Sequence, residues 1–515
     1  MKEFVLPQAL ALSTSPLLQD LTLESLLALL QQVVVSEAVA FDELMAMLRS
    51  PLDEAAPSKH AIYNLGRCIA IITASTTEEH RQKLISETLT LLQGSTTPSD
   101  GVALKKVQLA ILVSGDLGRA MDLSSIPGVA DELPAIYMGF FDSGSEDLKH
   151  SAAYALGRAT VQAQSIFLPA VVEALEKNGE KKQYLLLSAL REFIQCSDGQ
   201  KGGPGVNASL QVILPHLEKH SSDAEESIRT MVAECFGSLA CMQPSPMLKL
   251  LSQIAQNHSG ITTTDGAVAA ADTASQKNAL TCWTVATSIK LAIAGKTDAT
   301  QVEKYMPTFL KLLEQNELSV LNAALLMVYS AVHHMPQVVG DLMKESIMPS
   351  LYKVAELKME RKVDLGPFTH KVDDALPLRK AALSIFATCL EKLPGTLDMN
   401  AFMPVLAKAL SDVEDIQLQA HQIVISMCVR HPTHITASVE SFVDPLEKTI
   451  HKKPGQKTGT ELERLNEWIK SAIRTMTAMG RVQGTMNSRK FAEFYERTKA
   501  NSKFRSMFEA LDEEK

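Results

Sequence analysis

A glycine-containing helical segment recurs along this chain. Four copies are HAIYNLGRCIA (60–70), ILVSGDLGRA (111–120), SAAYALGRAT (151–160) and VAECFGSLA (232–240), and their aligned glycines are Gly66, Gly118, Gly157 and Gly237. The interval from Gly118 to Gly157 defines the repeat unit, and the interval before it is somewhat longer. The interval after it is twice as long, because the repeat that carries QYLLLSALREF at 183–193 lacks the glycine.

The spacing of these glycines matches the HEAT and armadillo repeats, in which two helices form a unit of about 40–47 residues. Each helix pair has an apolar face that it cannot bury alone, so neighbouring pairs must stack. A glycine inside a helix costs roughly 1 kcal/mol relative to alanine, and we expect it here because a neighbouring helix approaches closely. The sequence therefore predicts an all-α solenoid of the HEAT/armadillo type.

Apolar residues recur with the 3.6-residue period of an α-helix along nearly the whole chain. We predict helix pairs at 21–50, 57–93, 103–142, 146–177, 180–220, 223–257, 276–314, 317–352, 375–412, 415–450 and 460–499. Three stretches low in large apolar residues, at 94–101, 197–207 and 258–276, are predicted to be solvent loops.

One stretch, from Lys353 to Lys380, departs from the helical period. Apolar and charged residues alternate here in a period of two, which is typical of strands, on both sides of Gly366-Pro367. Glycine and proline together favour a tight turn. We predict one β-hairpin between about Leu357 and Val372, followed by Asp373 and Asp374 as N-caps of the next helix.

The charge distribution restricts the partners that the chain can have. The formal net charge is −9, which argues against a general nucleic-acid binder. Residues 448–505 nevertheless carry 14 Lys and Arg against 5 Asp and Glu. This basic end is either a solvated surface of the last helices or a contact for an acidic partner.

The sequence offers little that could support catalysis. Seven cysteines are scattered without a CxxC pair, which argues against zinc and favours a reducing compartment. A serine elbow, an HExxH motif and a GxGxxG motif are all absent from the sequence. There is no signal-peptide pattern at Met1 and no run of about 18 apolar residues. We expect a chain that is not an enzyme, uses no cofactor and does not cross a membrane.

The segment VDLGPFTHKVDDALPLRKAA (363–382) resembles the GPF-x-H-x-VDDG-x-x-x-RKAA signature of the cullin-associated and neddylation-dissociated (CAND/TIP120) family. The chain departs from it at Ala375, where the family pattern has glycine, and at Lys362, where it has an acid. Three further segments agree with the family and follow the same order along the chain: SAAYALGRA (151–159), KKQYLLLSALREF (181–193) and ESIRTMVAECFGSLA (226–240). The resemblance covers nearly all of the chain but only the C-terminal region of the family.

This resemblance implies a cullin-binding scaffold that competes with a Skp-type adaptor and promotes receptor exchange in cullin-RING (SCF-type) ubiquitin ligases. Its partner would be an unmodified cullin with its RING subunit, in the cytoplasm and nucleus. The contact residues implied are those around the hairpin tip: Val363, Leu365, Gly366, Pro367, Phe368, His370 and Val372. A karyopherin-like transport receptor and a transcription-factor-binding scaffold remain as alternatives.

The resemblance and the periodicity divide the chain into HEAT-type repeats at 1–352, the hairpin at 353–373 and C-terminal repeats at 374–515, with a TIP-type domain at approximately 318–500. The segment 5–16 is apolar and has no evident packing partner in the sequence. We therefore expect 1–50 to be an internal repeat that meets preceding repeats, in a longer chain or on a separate N-terminal half of the same family.

Overall fold

The computed structural model describes residues 5–15, 17–54, 58–94, 101–126, 129–177, 180–197, 205–259, 268–365, 368–453, 455, 458–505 and 507–508. The chain divides into two compact units, Met1–Met242 and Gln243–Lys515. Within the described ranges, every helix is too short or too polar to cross a membrane.

The first unit is all-helical in its described residues. Its helices are α1 (Val5–Ser13), α2 (Asp20–Val35), α3 (Phe41–Arg49), α4 (Pro51–Glu54), α5 (Lys59–Ala74), α6 (Glu78–Gly94), α7 (Gly101–Ala120), α8 (Val129–Gly139), α9 (Glu146–Thr160), α10 (Gln164–Lys177), α11 (Glu180–Ser197), α12 (Leu210–His220) and α13 (Glu226–Met242).

Alternate helices of this unit form two layers. The helices α5, α7, α9, α11 and α13 pack in order in a first layer, and α6, α8, α10 and α12 pack in order in a second. Three of the repeat glycines, Gly66, Gly118 and Gly157, lie where the next first-layer helix approaches closely. A Cβ at Gly118 would lie 2.8 Å from the Cα of Ala159, and a Cβ at Gly157 would overlap the carbonyl oxygen of Ala189. Close helix packing is thus the reason for both glycines.

Ion pairs also join successive helices of the first layer, and those of Arg158 are buried. Arg158 on α9 is 7 % exposed; its Nε donates to Glu192 Oε1 on α11 at 2.9 Å, and its Nη1 donates to Asp116 on α7. Arg191 on α11 donates to Glu234 on α13 at 2.8 Å. Buried charges are tolerated only when they are paired, so the contacts of Arg158 favour the arrangement in which α9 lies between α7 and α11.

The second unit continues the helical pattern and contains the hairpin. Its elements are α14 (Pro244–Ser259), α15 (Val268–Ala294), α16 (Ala299–Leu310), α17 (Leu318–His334), α18 (Pro336–Val339), α19 (Met348–Ala355), β1 (Glu360–Leu365), β2 (Phe368–Asp373), α20 (Leu376–Lys392), α21 (Met399–Ala409), α22 (Glu414–Arg430), α23 (Pro432–Ile450), α24 (Thr460–Gly480) and α25 (Arg489–Ala500).

This unit has the same two-layer order. The helices α15, α17, α20, α22 and α24 pack in sequence in its first layer, and α19, α21, α23 and α25 in its second. The hairpin leaves the stack between a second-layer helix, α19, and a first-layer helix, α20. The predicted all-α repeat fold with one antiparallel hairpin is confirmed.

Two local predictions are wrong. The stretch 258–276 is predicted to be a loop, but α15 begins at Val268 and runs for 27 residues. Its first turns are rich in alanine, which has the highest helix propensity, and they extend a helix that is already nucleated. The segment 5–16 does have a packing partner, because α1 lies against α2 and α5 and buries Leu6 and Ala9.

Candidate partner-binding hairpin

The two strands of the hairpin pair over their whole length. Glu360 lies opposite Asp373 at the base, and Leu365 lies opposite Phe368 near the tip. The pairing begins shortly after Leu357, and 366–367 lie outside the described residues. The predicted antiparallel pair between about Leu357 and Val372 is therefore confirmed.

The register separates the ribbon into two faces, because successive residues of a strand alternate between its sides. One face holds Arg361, Val363, Leu365, Phe368, His370 and Val372, and the other holds Glu360, Lys362, Asp364, Thr369, Lys371 and Asp373. Five of the seven candidate contact residues thus share one face, and the other two, Gly366 and Pro367, lie outside the described residues. On that face Val372 is 38 % exposed and Val363 is half-buried.

The base of the hairpin is held by Arg379 of α20, whose side chain is only 1 % exposed. Its Nη1 donates to Asp373 Oδ2 and to the carbonyl oxygen of Leu357, each at 2.7 Å. Its Nη2 donates to Asp412 Oδ1 at 3.1 Å. One guanidinium therefore connects the segment that leads into β1, the end of β2 and the segment that precedes α22.

Asp373 is a link between the strands rather than a helix cap. Its Oδ1 accepts from the backbone N–H groups of Met359 at 3.0 Å and Ala375 at 3.1 Å. Burial alone would raise the pKa of this carboxyl, but the hydrogen bonds from Met359, Arg379 and Ala375 outweigh burial and lower it. The prediction that Asp373 and Asp374 cap the next helix is wrong, because α20 starts after Ala375 and Asp374 instead accepts from Arg361 at 2.6 Å.

Sequence reasoning missed Arg379, Asp412 and Lys358 as parts of this site. Lys358 Nζ lies 3.6 Å from Asp412 Oδ2, whose side chain is 7 % exposed. Arg379 lies in the RKAA segment that carries the family resemblance, and this motif is the sequence signal that could have identified it. Asp412 is 33 positions further along the chain and falls in no motif.

The described residues provide no group of three or more His, Cys, Asp or Glu side chains placed to hold a metal ion. Burial raises the pKa of five thiols, those of Cys68, Cys196, Cys235, Cys389 and Cys428, to about 12. Thiols with such pKa values stay protonated at neutral pH and are poor nucleophiles.

Two family models match the chain. The TIP120 model, described as TATA-binding protein interacting (TIP20), matches residues 339–499, and the HEAT repeat model matches 213–240. The first match includes the hairpin and the Arg379 network. The second includes most of α13, which carries Gly237.

The curated relatives are named as cullin-associated proteins. The Cullin-associated NEDD8-dissociated protein 1 of Arabidopsis thaliana is 31% identical over 95% of this chain and 38% of its own length. The protein of the same name from Dictyostelium discoideum is 29% identical over 99% of this chain and 39% of its own. A fungal protein, Cullin-associated NEDD8-dissociated protein 1, C-terminal part, from Emericella nidulans, is 23% identical over 65% of this chain and 30% of its own.

The chain spans about two-fifths of the length of the first two relatives. Among solved structures, a crystal structure of importin beta superposes with a TM-score of 0.48 and 13% identity, over 95% of this chain and 61% of that one.

Proposed function

We propose that this chain, which is similar over nearly its whole length to the cullin-associated NEDD8-dissociated proteins, is a non-enzymatic scaffold that binds a cullin. The observation that supports the proposal most is the 31% identity over 95% of the chain to a relative of that name. The match of the TIP120 model over residues 339–499 adds to it, because that range contains the projecting hairpin. The cullin would be unmodified and associated with its RING subunit, in the cytoplasm and nucleus.

The hairpin would compete with a Skp-type adaptor for the cullin. An isolated two-stranded ribbon is marginal in water and needs support or a partner. Here the base has support from Arg379, whereas Val372 on the candidate contact face remains 38 % exposed. A ribbon that is fixed at its base and exposes an apolar side chain on its candidate contact face is suited to insertion against another protein.

Competition of this kind would promote receptor exchange. If the hairpin and the adaptor occupy overlapping sites on the cullin, each weakens the binding of the other by the same factor. Binding of this chain would then release an adaptor with its receptor, and a new adaptor would in turn displace this chain. No covalent step is needed for either event.

A polypeptide that carries preceding repeats would be a further partner. Leu17, shortly before α2, is 86 % exposed, Leu21 in its first turn is 83 % exposed, and Val35 at its end is 59 % exposed. Large apolar side chains this exposed favour a protein contact. We propose that a separate N-terminal half of the same family covers them and strengthens cullin binding.

In the experiment, this chain is titrated into a cullin–RING complex that carries no NEDD8, and binding is measured by isothermal titration calorimetry. The same complex conjugated to NEDD8 serves as the control, and a third sample contains the adaptor already bound to the cullin. We expect binding to the unmodified complex, weaker binding to the conjugated complex, and release of labelled adaptor from the third. Equal affinities for both forms, or no heat in either, would contradict the proposal.

A further inference from the structure

Two basic segments lie at the end of the last repeat. Residues 448–453 contain three Lys, residues 497–505 contain four Lys and Arg, and neither segment contains Asp or Glu. The first segment covers the last turn of α23 and the residues after it. The second covers the last turn of α25 and the short 3₁₀ turn Ser502–Phe504 that follows.

Contacts between α23 and α25 bring the two segments together. Arg497 on α25 donates to Glu447 on α23, from a position 50 residues further along the chain. Beyond that contact, the ring centroids of His451 and Phe504 lie 6.0 Å apart. The two helices therefore run side by side in the same direction, and their C-terminal ends form one surface. We call the surface formed by 448–453 and 497–505 the basic patch.

Three of the seven basic side chains in the patch are engaged within the chain. Arg497 has its carboxylate partner on α23. Lys452 Nζ lies 3.9 Å from the ring centroid of Trp468, and Lys503 Nζ lies 5.4 Å from that of Phe504. The other four are exposed and have no hydrogen bond, ion pair or ring contact within the described part of the chain: Lys448, Lys453, Lys499 and Arg505. Four positive charges of the patch are therefore available to another molecule.

The helix ends account for only part of this charge. The last carbonyl groups of a helix attract cations, but the attraction falls off within the last turn. Lys448 and Lys499 lie in the last turns of α23 and α25, where this attraction acts. Lys453 and Arg505 lie beyond both helix ends. Because like charges repel one another across the patch, an anionic partner would relieve a repulsion that the helices themselves do not offset.

The surroundings of the patch favour an acidic protein segment over nucleic acid or a membrane. Single strands of nucleic acid stack their bases on exposed aromatic side chains, but Phe494 and Phe504 are each 1 % exposed and Trp468 is 6 % exposed, beneath Lys452. Membrane surfaces are bound through large apolar side chains that insert. Among the described residues from 440 onwards, Met486 is the only large apolar side chain with substantial exposure, at 37 %.

We propose that the basic patch is a docking surface for an acidic segment of a partner protein, with several Glu or Asp close together. Its carboxylates would pair with Lys448 and Lys453 on one segment of the patch and with Lys499 and Arg505 on the other. Attraction between exposed charges dominates such a contact, so its affinity depends strongly on salt. This inference does not depend on the hairpin or on the proposed cullin partner.

The test uses the full chain and two labelled synthetic peptides, each of about 12 residues, which span roughly 40 Å when extended. One alternates Glu and Ser, and the other has Lys in place of every Glu. Binding is measured by fluorescence anisotropy at low and at moderate salt. We expect the chain to bind the acidic peptide at least about tenfold more tightly than the basic peptide, with affinity falling as salt rises. A labelled single-stranded DNA and vesicles that contain phosphatidylserine are measured in parallel and should bind more weakly than the acidic peptide.

Two charge-matched variants locate the binding. The patch variant replaces the four available basic residues by Gln: Lys448, Lys453, Lys499 and Arg505. It should bind the acidic peptide about tenfold more weakly. The control variant replaces four exposed lysines elsewhere in the second unit by Gln: Lys249, Lys311, Lys344 and Lys353. It removes the same charge and should change the affinity less than twofold, and circular dichroism verifies the fold of both variants.

Two half variants show whether the two segments act together. Lys448→Gln/Lys453→Gln removes the available charge of the first segment, and Lys499→Gln/Arg505→Gln removes that of the second. Each should weaken binding of the acidic peptide about threefold. If one half variant reproduced the whole loss of the patch variant, the peptide would contact a single segment, and the shared surface would be wrong.

Equal binding of the two peptides, or tighter binding of the DNA or the vesicles, would overturn the proposal. So would a loss of affinity as large in the control variant as in the patch variant, because the effect would then follow net charge and not the surface defined here. A tenfold gain in affinity on removal of residues 509–515, which contain four Asp and Glu, would also overturn it, since the patch would then be occupied by the chain's own acidic end.

Discussion

Arg379 Nη1 donates a hydrogen bond of 2.7 Å to Asp373 Oδ2, which links the helix α20 to the last residue of β2. The same nitrogen also donates to the carbonyl oxygen of Leu357, on the other side of the hairpin base. Since a ribbon of two strands has little stability of its own, this buried guanidinium fixes the direction in which the hairpin leaves the helical layers. The candidate contact face is therefore positioned by a residue outside the strands.

The first prediction concerns this anchor. Arg379→Met should lower the free energy of unfolding by about 3 kcal/mol, because it removes the cation of Asp373 and leaves the buried carboxylate of Asp412 with only the exposed Lys358. Arg361→Met is the matched control: its side chain is 60% exposed and pairs with Asp374, so we expect a loss below about 1 kcal/mol. Urea unfolding followed by circular dichroism measures both. Similar losses for the two variants would show that Arg379 is no anchor.

The second prediction concerns helix contact. A Cβ at Gly157 would overlap the carbonyl oxygen of Ala189, so Gly157→Ala should force α9 and α11 apart and cost roughly 1–3 kcal/mol. Gly139 has open space around its Cα, and Gly139→Ala should be neutral or stabilising by up to about 1 kcal/mol. Thermal melts measure both variants: the melting temperature should fall for Gly157→Ala and should stay level or rise for Gly139→Ala. A fall of equal size in both would mean that the contact with Ala189 does not set the cost.

Periodicity is enough to predict most of the fold. The 3.6-residue spacing predicts helix pairs because each helix buries one side in the repeat stack, and the change to a period of two predicts the hairpin because a ribbon alternates its sides. The prediction from periodicity fails at 268–276. Its alanines are too small to mark an apolar face, yet they favour helix strongly.

The anchor of the hairpin could not be predicted in the same way. It joins Asp373, Arg379 and Asp412, and the last of these becomes a neighbour only after α20 and α21 have packed. Periodicity describes which side of an element is buried, but it does not identify which charged residues meet inside. A motif resemblance points to Arg379 without indicating its contact.

The third prediction concerns pH. Burial lowers the pKa of His421 to about 4, below the unfolded value of about 6.5, and its Nδ1 lies 3.0 Å from Ser471 Oγ. The unfolded chain therefore binds the proton more readily, and stability falls as pH drops from about 6.5 towards 4. Between pH 7 and pH 5 the contribution of this residue is about 2 kcal/mol.

His421→Asn is the variant that isolates this effect. The parent and the variant are unfolded in urea at pH 7 and pH 5. The decrease in unfolding free energy should be smaller in the variant by about that amount. An identical decrease in both proteins would mean that His421 takes up a proton without loss of structure.

The last prediction separates the two faces of the hairpin. Phe368 and Thr369 are neighbours in β2, but the register places Phe368 with Val363, His370 and Val372, and Thr369 on the opposite face. Aromatic residues are frequent anchors of protein interfaces. Phe368→Ala should therefore weaken displacement of the cullin adaptor by about tenfold, while Thr369→Ala changes it less than twofold and both variants keep the melting temperature of the parent. The measurement is release of labelled adaptor from an unmodified cullin. If both variants act like the parent, the hairpin takes no part in competition; if both are equally weakened, the ribbon contributes without a preferred face.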